Sequence, residues 1–325
     1  MTEFNQYLFN RAWSFEIGLP GKEGKTYSSS INAVIPYSQQ PNQTSPLTVI
    51  GQPPTALRIV FDIDKSSCSS SNKAKFEVYN LNAQSRINYR AGYQIRFKAG
   101  YVGMLSTVYI GDIPRSAGGC TTRRRGADII TTFECGSAEK ELVLAHYDNS
   151  YPPGTPISLI FEDLANQLGV TLGPILGIPN KTYNNGFACN GTVQKTLNTL
   201  CRGNGLQWNI QDDTLQIMPK GAHTGDSAIV LSNKSIPGLT GLIDIPSEGD
   251  QFTTFNSLLN PSLMPGRIVQ IYSESINGSF YVVRRAHLKG DTHGTDWTVS
   301  CEGTKINARQ VLPQQNLNGK IVMVS

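Results

Sequence analysis

Apolar and polar positions alternate with a period of two from Trp13 to Ile17. They do so again from Leu57 to Ile63, where Leu57, Ile59, Phe61 and Ile63 oppose Arg58, Val60, Asp62 and Asp64. A strand sends successive side chains to opposite faces, so both runs predict strands. Lys75 to Tyr79, Tyr93 to Ala99 and Thr107 to Ile110 follow in close order. Asn80-Leu81-Asn82 interrupts the first, Gly100-Tyr101-Val102-Gly103 turns between the second and third, and Ile129 to Cys135 adds another strand. This spacing is that of a small antiparallel barrel or sandwich within residues 1–145. Pro36, Pro41, Pro46, Pro53 and Pro54, set among Ser, Gln and Thr, predict a loop or extended arm over 36–54.

The period then becomes helical. After a linker containing Pro152, Pro153 and Gly154, Thr155-Pro156 reads as an N-cap and first-turn pair. Ile157, Ile160, Phe161, Leu164 and Leu168 share one face of the helix that Gly169 ends. A second helix starts at Thr192 and carries Val193, Leu197, Leu200 and Cys201 on one side to near Gly203. Leu206, Trp208 and Ile210 alternate, residues 211–214 turn, and Leu215 and Ile217 alternate back, which predicts a hairpin. Residues 146–222 thus form a small α/β module. Strand patterns return at Ala228 to Leu231, Gly266 to Tyr272, Ser279 to Arg285 and Asp296 to Glu302. Asn277-Gly278 predicts a type I′ hairpin between the middle two. The outline is mainly β, with 223–312 a second β domain and 313–325 an exposed tail; short strands do not say which β domain 223–246 joins.

The 325 residues suit two or three units. Thirteen Tyr and twelve Phe against five Met favour pleated, half-buried surfaces, in line with the strand patterns. A net charge of +4 is too small to imply nucleic-acid or membrane binding by bulk electrostatics. Its distribution is uneven, with 16 basic and 10 acidic residues up to position 140 and 12 and 14 beyond, and the run Arg123, Arg124, Arg125 supplies half of the early excess. That run reads as a solvated loop or as a contact for an acidic partner or a phosphate backbone. The cysteines at 68, 120, 135, 189, 201 and 301 form no close pair and no metal-ligand spacing. Five Asn-x-Ser/Thr sequons (Asn42, Asn180, Asn190, Asn233, Asn277) occur, but the first residues have neither a basic nor an apolar signal region, so reduced thiols and cytosolic assembly are expected. No apolar run is long enough to span a bilayer.

Catalytic chemistry is not evident. The four histidines, His146, His223, His287 and His293, lack a nucleophile elbow or a zinc motif around them and read as surface or turn residues. Glu162-Asp163 reads as compensation of a helix-start dipole and Asp212-Asp213 as turn chemistry. Asp62 and Asp64 share a strand face, but a calcium site needs more oxygens in a tighter loop, so a solvated face is expected.

An ordered series of motifs resembles a known family. Lys75-Phe-Glu-Val-Tyr-Asn-Leu-Asn82, Arg90-Ala-Gly-Tyr-Gln-Ile-Arg-Phe-Lys-Ala-Gly-Tyr101 and Val108-Tyr-Ile-Gly-Asp-Ile113 resemble the first barrel of baseplate central hub proteins of contractile-tailed bacteriophages, relatives of the hub part of type VI secretion spikes. The matching positions are Tyr79, Asn80, Leu81, Gly92, Gly100, Tyr101 and Gly111. Thr192 to Ile210, with Trp208, resembles the middle module of that family. Thr240 to Pro246, Pro261, Gly266, Asn277-Gly278 and Trp297 resemble its second barrel. The long Pro-rich stretch 36–54 and the Cys120 to Arg125 loop depart from the pattern.

The resemblance implies two tube-like antiparallel β-barrel domains flanking the α/β insert and a structural, non-enzymatic job without cofactors. It implies a homotrimer whose two barrels per chain build a pseudo-sixfold ring, joining a sixfold tail tube protein to a threefold central spike protein beside neighbouring baseplate proteins. DNA would be only transient cargo in the channel, without membrane insertion, and the location would be the virion tail baseplate, assembled in the host bacterial cytoplasm. Arg96, Lys98, Arg123, Arg124 and Arg125 are the candidate channel or tube contacts. Two alternatives stay open at this point: a tail-associated cell-wall hydrolase, and a receptor- or glycan-binding tail protein.

Overall fold

The computed structural model describes residues 11–19, 24–29, 57–67, 72–102, 104–114, 119–137, 146–175, 181–219, 221–224, 227–234 and 241–307. The Pro-rich stretch 36–54 and the tail 313–325 lie outside the described residues. The chain is mostly antiparallel β-structure, as its alternation predicts.

The first part contains β1 (Arg11–Gly18), β2 (Lys25–Ser28), β3 (Ile59–Ser66), β4 (Lys73–Tyr79), helix α1 (Ala83–Asn88), β5 (Gln94–Tyr101), β6 (Met104–Asp112), β7 (Cys120–Arg125) and β8 (Asp128–Gly136). The middle part contains β9 (Asn149–Tyr151), β10 (Thr155–Pro156), α2 (Ile157–Leu168), β11 (Thr171–Ile175), β12 (Thr182–Tyr183), β13 (Phe187–Cys189), α3 (Val193–Gly203), β14 (Leu206–Gln211) and β15 (Thr214–Pro219). The last part contains β16 (Ile229–Ser232), β17 (Leu242–Glu248), β18 (Thr253–Leu258), β19 (Ile268–Tyr272), β20 (Asn277–Asp291) and β21 (Trp297–Ile306).

Strands of the first and last parts join one 14-stranded sheet. Its path runs β17-β18-β21-β20-β3-β4-β8-β6-β5-β1-β2, with β19 beside β20, β16 beside β19 and β7 beside β8. The joining element is β20. Its 15 residues, about 50 Å of extended chain, pair with β21 along one edge. On the other edge the N-terminal half pairs with β19 and the C-terminal half with β3. A register irregularity between Val283 and Arg285 marks the changeover, where the Arg284 carbonyl accepts from Ser67 N.

The sheet curls. β1 and β4 are four strand steps apart, about 19 Å on a flat sheet, yet the Phe15 and Phe76 rings lie 5.4 Å apart. Phe61 of β3 and Phe97 of β5 are also four steps apart, and their rings meet at 4.8 Å. The inner face therefore closes on itself around an aromatic core that also takes Phe133, Tyr281 and Trp297. Aromatic edges packed on neighbouring faces add to the area they bury. Polar anchors hold the closure: Arg58 pairs with Asp291 at 2.6 Å, and Arg11 donates to the Gly294 carbonyl at 2.6 Å with its guanidinium over Trp297.

The α/β part has its own core, in which α2 and α3 cover the mixed sheet β11-β15-β14 through Phe161, Leu164, Leu197, Leu200, Trp208 and Ile217. Thr192 caps α3 by accepting from Lys195 N, and Gly169 in the left-handed region ends α2. Asp212 and Asp213, both at positive φ, close the β14–β15 hairpin. Thr155, expected to cap α2, does not: its hydroxyl donates to the Pro152 carbonyl, and Pro156 takes the cap position without a side-chain bond.

One further sequence expectation changes. The turn before β20 is Ser273–Ile276, closed by Ser273 N donating to Ile276 O and Ile276 N donating to Ser273 Oγ. Ile276 is buried and anchors this turn, so Asn277-Gly278 opens the strand instead of forming the bend. The strands within 223–246 pair with later strands, β16 with β19 in parallel and β17 with β18.

Candidate functional site

The face of the sheet away from the aromatic core carries an ordered charge pattern. Glu134, Lys75, Asp62 and Lys289 are direct cross-strand partners on β8, β4, β3 and β20, so the sign alternates across four strands. The next row places Lys73, Asp64 and His287 opposite one another, and a third pairs Arg285 with Glu302. With His287 counted as neutral, Lys73, Lys75, Arg285 and Lys289 cancel Asp62, Asp64, Glu134 and Glu302 in formal charge. Opposite charges on facing strand positions stabilise a sheet, and like charges oppose it.

Within this face Arg285 holds Asp64 through two bonds of 2.8 and 2.5 Å, and His287 Nε2 meets Asp62 Oδ1 at 2.7 Å. The Arg285 hydrogen bond, its positive charge and that of His287 keep the Asp64 carboxyl below its ordinary range despite partial burial. Asp62 and Asp64 share a face, as their spacing predicts, and each takes a side chain of β20. Among the described residues no group of three or more His, Cys, Asp or Glu is placed to hold a metal ion.

The five basic candidates fall on two strands. Arg96 and Lys98 flank Glu16 on the polar side of β5, with Lys98 Nζ 3.6 Å from Glu16 Oε1. Arg123, Arg124 and Arg125 end β7, which pairs only with β8 among the described strands and is exposed from Thr121 onward. Strand alternation sends Arg123 and Arg125 to one side and Arg124 to the other. Arg123 reaches Glu77 at 3.0 Å, and Glu77 also meets Lys75 at 3.2 Å. What reads in sequence as a solvated loop is an edge strand, and charge there discourages strand addition by another chain.

The family-motif positions are scattered through the scaffold and form no single constellation. Tyr79 ends β4 beneath the Arg58 guanidinium. Asn80, at φ 56°, donates to Asp128 and accepts from Ile129 N, tying β8 to the end of β4. Leu81 and Tyr101 are buried in the main core, and burial pushes the Tyr101 hydroxyl up to about 12. Gly92 turns between α1 and β5, and Gly100 and Gly111 lie within β5 and β6. Trp208 is buried in the α/β core with its Nε1 donating to Asn198. Pro261 and Gly266 lie in the 259–267 connection, Asn277 and Gly278 open β20, and Trp297 packs edge-on against Phe61.

A buried polar junction had no signal in the sequence. Lys65 continues the inward row of Ile59, Phe61 and Ile63, and its side chain is 1% exposed. Its Nζ lies 2.8 Å from both carboxylate oxygens of Asp212, in the hairpin turn of the α/β part. Beside it Asn72 donates to the Ile210 carbonyl and to Gln211 Oε1, and Gln211 donates to the Ser66 carbonyl. The two hydrophobic cores thus meet through charge and amide contacts.

Burial keeps the described buried cysteine thiols protonated. The five described cysteines are free. Burial raises the Cys189 thiol to about 11 and Cys201 to about 12, and it raises Cys135 and Cys301 as well. Asp163 accepts from the Tyr151 hydroxyl at 2.9 Å. No described helix is long and apolar enough to cross a membrane.

Comparison with known proteins agrees with this scaffold. A family model described as baseplate hub gp41 matches residues 47–303. No curated protein matches the sequence. A tail protein from Neisseria meningitidis MC58 superimposes with a TM-score of 0.58 at 11% identity, covering 92% of this chain and 98% of that one. The 43 kDa tail protein of prophage MuSo2 from Shewanella oneidensis gives 0.55 at 10% identity, covering 91% and 98%. A Francisella PdpA–VgrG complex, half-lidded, gives 0.51 at 7% identity, covering 92% of this chain and 58% of that chain.

Proposed function

Because the chain belongs to the baseplate hub gp41 family, we propose that it works as a trimeric adaptor in a phage tail, joining a sixfold tube protein to a threefold spike and lining the channel between them. The structural hub role follows from the family, and with it a place in the virion tail. The trimer, the pseudo-sixfold arrangement of two barrels per chain and assembly in the host cytoplasm are the finer parts of the proposal.

One observation carries the channel reading. β20 joins both β parts into one sheet whose polar face spans β8, β4, β3, β20 and β21 with cancelling charges. A channel wall must be wettable without holding a polyanion. A face that alternates sign at neighbouring strand spacing has little potential a Debye length away, about 8 Å in physiological salt. We assign this face to the lumen. Arg96 and Lys98 on β5, and Arg123 to Arg125 on β7, where Arg123 borders this face through Glu77, are assigned to the tube or the channel mouth, where concentrated positive charge can select an acidic partner.

Assembled tails carrying Asp62→Lys with Glu134→Lys test the lumen assignment. Two carboxylates become cations in each copy, so DNA passage is expected to slow while the isolated protein still folds. Passage at the wild-type rate through normally assembled tails would sink it.

A further inference from the structure

Among the described residues, four of the five exposed large apolar side chains lie at the two ends of the sheet path. Ile245 (56% exposed) and Phe252 (46%) belong to β17 and to the turn after it. Leu19 and Ile87 (78%) lie beside β1–β2 and in α1. Charge divides the same way. Residues 241–258 contain Asp244, Glu248 and Asp250, all exposed, with no Lys or Arg. Residues 24–29 and 81–93 contain Lys25, Arg86 and Arg90 with no Asp or Glu. One end is convex, since Gly249 N donates to Phe252 O in a tight turn that leaves the Phe252 ring in solvent. The other is concave: a groove of about 400 Å³ is lined by Leu19, Lys25, Gln84, Asn88, Tyr89 and Tyr93, among others.

We propose that copies of this chain meet head to tail, with the Phe252 turn of one copy seated in the groove beside α1 of the next and its acidic flank against Lys25 and Arg90. The occupant is a second copy because apolar shape and charge are complementary between the two ends of one molecule. Backbone pairing is disfavoured on the β17 side: the strand is irregular between Ile243 and Ser247, Asp244 has φ 61°, and Pro246 has no N–H to donate. The contact is therefore made by side chains, an aromatic anchor in a pocket with a charged rim. A heterologous contact of this kind closes into a ring when its rotation divides the circle. The inference rests on the hub reading and adds the surfaces through which it assembles.

The full chain tests it in two arms. Gln251→Cys and Gln84→Cys chains, which keep the Phe252 ring, mixed and treated with a short bismaleimide, should give cross-linked dimers that neither variant nor the wild type gives alone. Glu248→Lys with Asp250→Lys should weaken assembly roughly tenfold, as loss of complementary rim charge does, and Lys25→Glu with Arg90→Glu in the same chain should restore it. Threefold rings that form without the mixed cross-link, or that ignore the charge reversal, overturn this contact and leave the hub reading standing. A wild-type chain that never assembles overturns the hub reading, and the contact falls with it.

Discussion

Lys65 and Asp212 lie 147 residues apart in sequence, and the Lys65 ammonium sits 2.8 Å from both Asp212 oxygens with its side chain 1% exposed. Removing one partner of such a pair leaves a buried charge uncompensated, which costs about 3 kcal/mol. Asp212 has φ 47°, a region Asn tolerates, so Asp212→Asn removes the charge while keeping the turn. That variant should unfold at clearly lower urea concentration, and Lys65→Met with Asp212→Asn should recover most of the loss. An unchanged midpoint for Asp212→Asn would mean that the pair does not hold the α/β part to the sheet.

Gly100 lies where a Cβ would come 2.2 Å from the Met104 carbonyl oxygen, at the hairpin between β5 and β6. Backbone cannot yield there as a flexible side chain can. Gly100→Ala should cost about 2 kcal/mol or more, read as a lower melting temperature. A variant that melts with the wild type would show that the hairpin reshapes freely.

Acid should weaken the closure of the sheet. Burial pushes Asp291 up, but the Arg58 bond and charge and the backbone N–H groups of His293 and Gly294 outweigh it and hold the carboxyl below its ordinary value. Asp64 is held down by Arg285. A carboxyl depressed in the folded state stabilises fully above its unfolded value, about 3.9, and that stability is lost as pH falls through this value towards the folded one. Both groups are partly exposed, so the effect is modest. Urea midpoints from pH 6 to pH 3 should fall, and Asp64→Asn with Asp291→Asn should flatten the lower part of the curve. Parallel curves for wild type and variant would contradict this assignment.

Strands and helices were legible where one face is buried, because period two or 3.6 then shows directly in the residues, as in Ile59, Phe61 and Ile63 or in Ile160, Phe161 and Leu164. Long-range partners leave no such trace. Nothing near Lys65 announces Asp212, and nothing in β20 says that its two halves have different neighbours on one edge. Local rules failed where a second group competed. Thr155 spends its hydroxyl on Pro152, and buried Ile276 with Ser273 moves the turn upstream of Asn277-Gly278. The charge pattern of the polar face was half legible, since Asp62 and Asp64 share a face by spacing alone, but their partners on β20 follow from register.

Arg123, Arg124 and Arg125 are exposed on an edge strand, so a chain with all three reversed to Glu should still fold, losing roughly 1 kcal/mol because like charge then meets Glu77 and faces Asp128. Assembly onto the tail tube or DNA ejection should be impaired. Normal assembly and ejection with the reversed charges would remove these residues from the contact surface.

The central claim is assembly, and averaged electron-microscope images of the purified chain, with its mass from light scattering, address it most directly. A threefold ring with an axial hole is the expected result. A compact monomer that assembles with neither tube nor spike would contradict the hub.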